Sequence, residues 1–248
     1  MIRIVLGALV AMAAGTAMAQ TPQCRTIEHA DNNYTLCEVD LATADLRLFL
    51  NDAEGTPLGQ FSTIDEALHA DGKQLSFAMN AGMYHDDRDP VGYYVENGLE
   101  MKHVVENAGP GNFGLLPNGV FCIRPDRADV MESLAFVKQA PDCAYATQSG
   151  PMLVIDGALH PRFLPDSTSR YIRNGVGTSA DGTRAVFAIS DNTVTFHEFG
   201  NLFRDGLGLP NALYFDGNIS RLYAQSLGRN DAGFQMGPVV GVVEDRTN

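Results

Sequence analysis

Basic side chains are scarce in this chain: 17 lysines and arginines stand against 30 aspartates and glutamates, for a formal charge of −13. So acidic a protein repels nucleic acid and anionic membranes at long range, which argues against both as partners. An anionic ligand needs local arginines to overcome that field. Long apolar runs are also missing beyond the first residues, so no later segment is expected to insert stably in a bilayer. There is no internal repeat, no Pro/Ser linker, no C-x-x-C pair, and neither G-x-x-x-x-G-K-[ST] nor G-x-G-x-x-G. Their absence leaves one domain without a nucleotide loop and speaks against a zinc site.

The N-terminus has the form of an export signal. Arg3 precedes an apolar or small stretch from Ile4 to Ala17, and Ala17-Met18-Ala19 is an A-x-A cleavage site before Gln20. Residues 1–19 therefore read as a signal peptide and residues 20–248 as the domain, periplasmic or secreted; an uncleaved anchor is the alternative. No cysteine follows the cleavage site, which argues against a lipoprotein. Cys24, Cys37, Cys122 and Cys143 all lie in the exported part. Four cysteines allow three pairings. Cys24–Cys37 and Cys122–Cys143 are favoured, because each closes a short loop between expected strands.

Strand-like runs are short and numerous: "TLCEVDL", "LRLFLN", "LSFAMN", "GYYVEN", "GVFCIR", "LAFVKQ", "PMLVIDG", "RAVFAISD" and "TVTFHEF". Helices are expected at 62–70, where Ser62-x-x-Asp65 or Thr63-x-x-Glu66 resembles a capping box, and at 197–208, where Phe199, Leu202 and Phe203 share helical spacing. The fold class is α+β: a strand-rich single domain with a mixed sheet, few helices and long loops.

Four segments end a strand-like run in small residues beside one polar residue: "FAMNAGMY" (77–84), "ATQSGPMLV" (146–154), "YIRNGVGTS" (171–179) and "YFDGNIS" (214–220). Glycine lets backbone approach a ligand closely. Convergence of the four would place Asn80, Gln148, Arg173 and Asp216 in one pocket; singly, each reads as a turn. "HDDRD" (85–89) has clustered carboxylates that suit a hard cation such as calcium, against a solvated acidic loop on the rim of the same cleft. His160 is an acid–base candidate or a plain loop histidine. "NYT" and "NIS" fit a glycosylation pattern, but the bacterial style of the signal argues against glycans.

As an ordered set these segments resemble the phosphodiester glycosidase family, that of the lysosomal uncovering enzyme. Asn80-Ala81-Gly82-Met83-Tyr84 is similar to its Asn-Gly-Gly-Phe-Phe motif, Gln148-Ser149-Gly150-Pro151-Met152-Leu153 to its Gln-x-Gly-Pro-x-Leu stretch, Arg170 to Gly177 to its arginine segment, and Asp216-Gly217-Asn218-Ile219-Ser220 to its Asp-Gly-Gly-x-Ser motif. Ala81 and Asn218 stand where the family has glycine, so substrate preference is expected to differ. The resemblance implies hydrolysis of a glycosyl group from a phosphodiester in a sugar-phosphate small molecule or envelope glycan. It implies no organic cofactor and leaves a divalent cation open. A departing phosphate monoester needs little protonation, so one carboxylate, Asp216, suffices as base or nucleophile. Arg173 and Arg170 would hold phosphate. Asn80 and Gln148 would bind sugar hydroxyls, with Gly82, Gly150, Gly217, Asn218 and Ser220 lining the site. The competing readings are a hairpin turn at Asp216-Gly217, surface pairing of the arginines, and a periplasmic carbohydrate- or envelope-binding protein without turnover.

Overall fold

The computed structural model describes residues 21–217 and 219–246. The expected signal peptide lies outside them. Along the chain run strands β1 (Gln23–His29), β2 (Asn32–Asp40) and β3 (Asp45–Phe49), helix α1 (Phe61–His69), and strands β4 (Lys73–Asn80), β5 (Tyr94–Glu96), β6 (Leu99–Lys102), β7 (Gly119–Arg124) and β8 (Arg127–Glu132). Helix α2 (Ser133–Gln139) leads to β9 (Tyr145–Ser149), β10 (Met152–Ile155), β11 (Ala158–Leu159), β12 (Asn174–Thr178) and β13 (Arg184–Ser190). Helix α3 (Phe196–Asn201) runs into a π-helical turn, followed by β14 (Asn211–Asp216), β15 (Leu222–Ala224), β16 (Arg229–Asn230) and β17 (Val239–Asp245).

The strands form three sheets, ordered β1-β2-β13-β12-β14-β10-β11, β16-β15-β4-β17-β3 and β6-β5-β9-β7-β8. A mixed sheet was expected, yet every strand pairing among the described residues is antiparallel. Residue patterns that bury both faces of a strand do not specify its partner's direction.

Period-two alternation explains how the layers assemble. On β13, Ala185, Phe187 and Ile189 join a central core, while Val186 and Ala188 face a second cluster with Phe199, Leu202 and Phe203. On β14, Leu213 and Phe215 point to the centre, and Ala212 and Tyr214 point outward. All three sheets contribute to the central core. Each outer face is then covered by one helical segment: α3 and its π turn on the first sheet, Phe61, Ile64 and Leu68 of α1 on the second, and Phe136 of α2 on the third. Strands buried on both faces read as continuous apolar runs.

Both disulfides form as expected, Cys24–Cys37 and Cys122–Cys143. The first joins directly opposed residues of the β1–β2 hairpin. Three local expectations need correction. "LAFVKQ" is α2, not a strand: the Glu132 side chain accepts from the Ala135 N–H, and Phe136 is the residue that packs inward. "TVTFHEF" is not a strand either. Thr195 and Glu198 form a reciprocal capping box that starts α3 at Phe196. Helix α1, conversely, has no side-chain cap at Gln60, and Asp65 instead accepts from the Leu75 N–H at 2.8 Å, tying helix to strand.

Candidate active site

Three strand ends from two sheets meet at one place. Asn80 ends β4, Asn174 starts β12 and Asp216 ends β14, with Asn174 directly opposite Asp216 in the β12–β14 ladder. Asn80 and Asn174 are both fully buried. The Asn174 amide donates to Asn80 O and Oδ1, each at 2.9 Å. Its Oδ1 accepts from the Asp216 N–H at 3.2 Å, and Asn80 Oδ1 accepts from the Arg221 N–H at 2.9 Å. The asparagine pair thus holds both ends of the loop that carries Asp216, Gly217 and Ser220. A buried amide with every group matched fixes geometry, because leaving any one of them unpaired is costly.

Within that loop Asp216 Oδ1 accepts from the Gly217 N–H at 2.6 Å. The Ser220 hydroxyl lies 2.9 Å from Asp216 O and 3.2 Å from Ile172 O. Asp216, Gly217 and Ser220 are partly exposed, so the loop meets solvent while its anchors do not. Gly217 does not take the left-handed backbone of a primed hairpin turn. It is glycine for another reason: a Cβ there would lie 1.9 Å from the Tyr214 hydroxyl oxygen. Asn218 lies outside the described residues.

Arg173 sits immediately before Asn174 and is 1 % exposed. Its Nε donates to Val194 O at 2.9 Å and its Nη2 to Ser169 O at 3.2 Å. The guanidinium lies 3.7 Å over the Phe196 ring and 5.4 Å from the Tyr171 and Tyr214 rings. The Arg173 and Tyr214 side chains are close enough to interact, yet neither Nη1 nor the Tyr214 hydroxyl has a well-formed hydrogen bond among the described residues. Burial lowers the Arg173 pKa, though a guanidinium stays charged in proteins. The surface-pairing reading of Arg173 is thereby replaced by a desolvated cation in an aromatic cage.

Two tyrosines carry this charge pattern to Asp216. Burial pushes the Tyr214 hydroxyl far up; the Arg173 charge opposes that shift and the Asp216 charge adds to it. Burial, then Asp216, raises Tyr84, while Arg88 and Arg221 oppose. Arg88 and Arg221 are held by carbonyls and rings: Arg88 donates to Asp86 O and lies over Tyr84, and Arg221 donates to Asp231 O and Phe234 O. Arg88 and Arg221 thus lie near Tyr84, and Arg173 near Tyr214.

The structure brings together Asn80, Arg173, Asp216, Gly217 and Ser220. It does not bring the Gln148 side chain to them. That amide is 2 % exposed and engaged within the protein, with Oε1 accepting from the Tyr93 and Val105 N–H groups and Nε2 donating to Val105 O and Ser133 Oγ. Its neighbour Ser149 faces the other way and donates to Phe215 O at 2.8 Å, bracing the residue before Asp216. Gly150 is needed where a Cβ would meet Asn118 Cβ at 2.7 Å, and Gly82 where one would meet Thr147 Oγ1 at 2.9 Å; both serve chain packing. Arg170 forks onto Glu198 at 3.0 Å and donates to Thr193 O, so it anchors α3 beside the Arg173 cage. His160 is buried and stacks on Phe163, which stacks on Phe196 under Arg173. "HDDRD" is a tight turn closed by His85 N–H to Asp89 O, with Asp89 paired to Lys102. No cluster of three or more His, Cys, Asp or Glu among the described residues is arranged to hold a metal. Asn174, Ser149, Tyr84, Tyr214 and Arg221 were not singled out from sequence. Asn174-Gly175 repeats the polar–small signal of Asn80-Ala81 and was legible on that ground.

Residues 73–242 match the family model for phosphodiester glycosidase. The chain is 34 % identical over 185 residues to the uncharacterized protein YigE of Escherichia coli (strain K12), covering 75 % of this chain and 72 % of that one. Among solved structures it is similar to a hypothetical protein from Synechocystis (TM-score 0.61, 12 % identity, 90 % of this chain), of which it spans only 62 %. The zebrafish N-acetylglucosamine-1-phosphodiester alpha-N-acetylglucosaminidase catalytic domain, auto-inhibited by its pro-peptide, gives a TM-score of 0.58 at 12 % identity, over 89 % of this chain and 81 % of that one. A Burkholderia pseudomallei protein described as exported gives 0.57 at 12 % identity, over 85 % and 74 %. By its matching residues and its fold, the chain belongs to the phosphodiester glycosidase family.

Proposed function

We propose that this protein is an exported hydrolase that cleaves a glycosyl group from a sugar phosphodiester. The observation that carries the reading is geometric: the Arg173 guanidinium lies 5.4 Å from the Tyr214 ring, the Asp216–Gly217 turn packs against the hydroxyl of the same tyrosine, and Asn174, next to Arg173, stands opposite Asp216 in the ladder. Water attacks the anomeric carbon, the bond from that carbon to the phosphate oxygen breaks, and a free sugar and a phosphate monoester leave. The monoester departs without a strong acid, so the second carboxylate of ordinary glycosidases is not required. Asp216 takes the proton from water or first attacks the carbon itself. The caged Arg173 supplies fixed positive charge for the phosphate in a dry setting, where such charge acts strongly. Arg170 holds the cage in place through Glu198. Asn80 and Asn174 keep the Asp216 loop preorganised.

Paired cysteines and the likeness to an exported protein support a secreted location, and the periplasm is its bacterial form. The test is hydrolysis of a panel of glycosyl phosphodiesters, including an N-acetylglucosamine-1-phosphodiester, by the parent protein and Asp216→Asn. Turnover by the parent and a loss of at least about a thousandfold in the variant are expected. Full activity of Asp216→Asn would remove that acid from the mechanism. Binding by both proteins with turnover by neither would make this a carbohydrate-binding protein.

A further inference from the structure

Arg173 and Arg221 are both buried beside the candidate site, and only one of them is satisfied. Arg221 spends Nε and Nη2 on Asp231 O and Nη1 on Phe234 O and Gln60 Oε1, and the Asp231 charge offsets its burial. Arg173 is 1 % exposed and has two carbonyl bonds, from Nε to Val194 O and from Nη2 to Ser169 O. Its Nη1 is buried without a well-formed hydrogen bond among the described residues, and so is the hydroxyl of Tyr214, itself a fully buried residue. The groups that oppose desolvation of Arg173 are Tyr214 and Tyr171, with no carboxylate among them. A desolvated charge without a counter-charge is costly, and so is each buried donor without an acceptor. Both costs fall at one spot. Even if the Tyr214 oxygen accepts from the guanidinium, its own O–H still needs an acceptor.

We propose that the aromatic cage binds a halide ion, chloride under physiological conditions, between Arg173 Nη1 and the Tyr214 hydroxyl. One monatomic anion accepts from both donors and supplies the missing negative charge. Water would take the hydrogen bonds and leave the charge uncompensated. Phosphate or sulfate is too large for donor atoms with almost no solvent contact, so the site selects a small spherical anion. Tyr171 is the half-exposed wall of the cage and lies 5.4 Å from the guanidinium, so one ring separates the site from solvent. The chain as a whole is strongly acidic and repels anions, which makes halide binding a property of this cation and not of general attraction.

The test melts the full chain in sodium chloride, sodium bromide or sodium gluconate at one ionic strength. Chloride and bromide are expected to raise Tm saturably relative to gluconate, by about 5 °C or more at a hundred times Kd. Tyr214→Phe keeps the packed ring. It should melt like the parent in gluconate and lose at least about two thirds of the halide shift, since one of the two donors is gone. In crystals grown from bromide, anomalous scattering should place an ion within hydrogen-bonding distance of Arg173 Nη1 and the Tyr214 hydroxyl. Equal Tm in the three salts, a halide shift untouched by Tyr214→Phe, or bromide found only at the surface overturns the site and leaves a buried water in its place. None of these readouts needs turnover. On the function proposed above, halide and substrate phosphate draw on the same cation, so chloride should raise KM for a cleaved phosphodiester without changing kcat. A bound halide with KM unmoved keeps the site and removes Arg173 from phosphate binding, which separates failure of one proposal from failure of the other.

Discussion

Replacing Gly217 by alanine tests whether the reactive loop rests on Tyr214 as described. The new methyl carbon would lie 1.9 Å from the Tyr214 hydroxyl oxygen and 3.2 Å from its Cζ, well inside contact distance. Tyr214 is fully buried, its ring packs edge-on against Phe196, and Arg173 lies over Phe196, so retreat disturbs the cage. Overpacking of this kind costs about 1–3 kcal/mol. In a domain of this size about 2 kcal/mol lowers Tm by roughly 4–8 °C. Scanning calorimetry and urea titration should both register the loss, with the urea slope unchanged. Tyr214→Phe removes the atom at 1.9 Å and leaves the one at 3.2 Å. The hydroxyl has no well-formed hydrogen bond among the described residues, so its removal alone should change stability by less than about 1 kcal/mol. The double variant should recover more than half of the loss, a favourable coupling of about 1 kcal/mol or more. Additive losses, or a neutral Gly217→Ala, would refute the contact.

Gln148→Ala should cost about 3 kcal/mol in urea unfolding, because it orphans groups on Tyr93, Val105 and Ser133, while KM of the folded fraction stays as it was. A raised KM with unchanged stability would return Gln148 to sugar binding. Burial lowers the His160 pKa from 6.5, so the folded state favours neutral imidazole. Its stabilising contribution is full above about pH 6.5 and declines as pH falls toward the lower folded value. Thermal melts from pH 7.5 to 5 should show that decline, and His160→Asn should flatten it. Opening Cys122–Cys143 by serine replacement frees a loop of 21-residue separation and should cost about 3 kcal/mol in chemical unfolding. Arg173→Lys should lower activity at least about tenfold with the fold retained, since an ammonium can neither cover the Phe196 ring nor keep both carbonyl bonds.

Some of this was written in local sequence. The apolar runs in "RAVFAIS" and "LYF" marked strands, and short cysteine separations marked both disulfides. The small–polar signal of three of the four segments located the strand termini near Asp216, Asn80 and Arg173, because backbone can crowd together only where side chains are small; the fourth, with Gln148, points elsewhere. Other features depended on partners far along the chain. Six-residue runs such as "LAFVKQ" suit helix or strand equally, and α2 was decided by a Glu132 cap and a pocket for Phe136. Gln148 looked like a ligand for sugar until Val105 and Ser133 folded onto it. Burial of Arg173 comes from Phe196 and Val194, and the loop around Phe234 is set by Arg221. Short-range sequence records which backbone shapes are allowed. Which polar group is satisfied, which is left facing solvent, and which charge is desolvated are properties of tertiary neighbours, and the chemistry of the site rests on them.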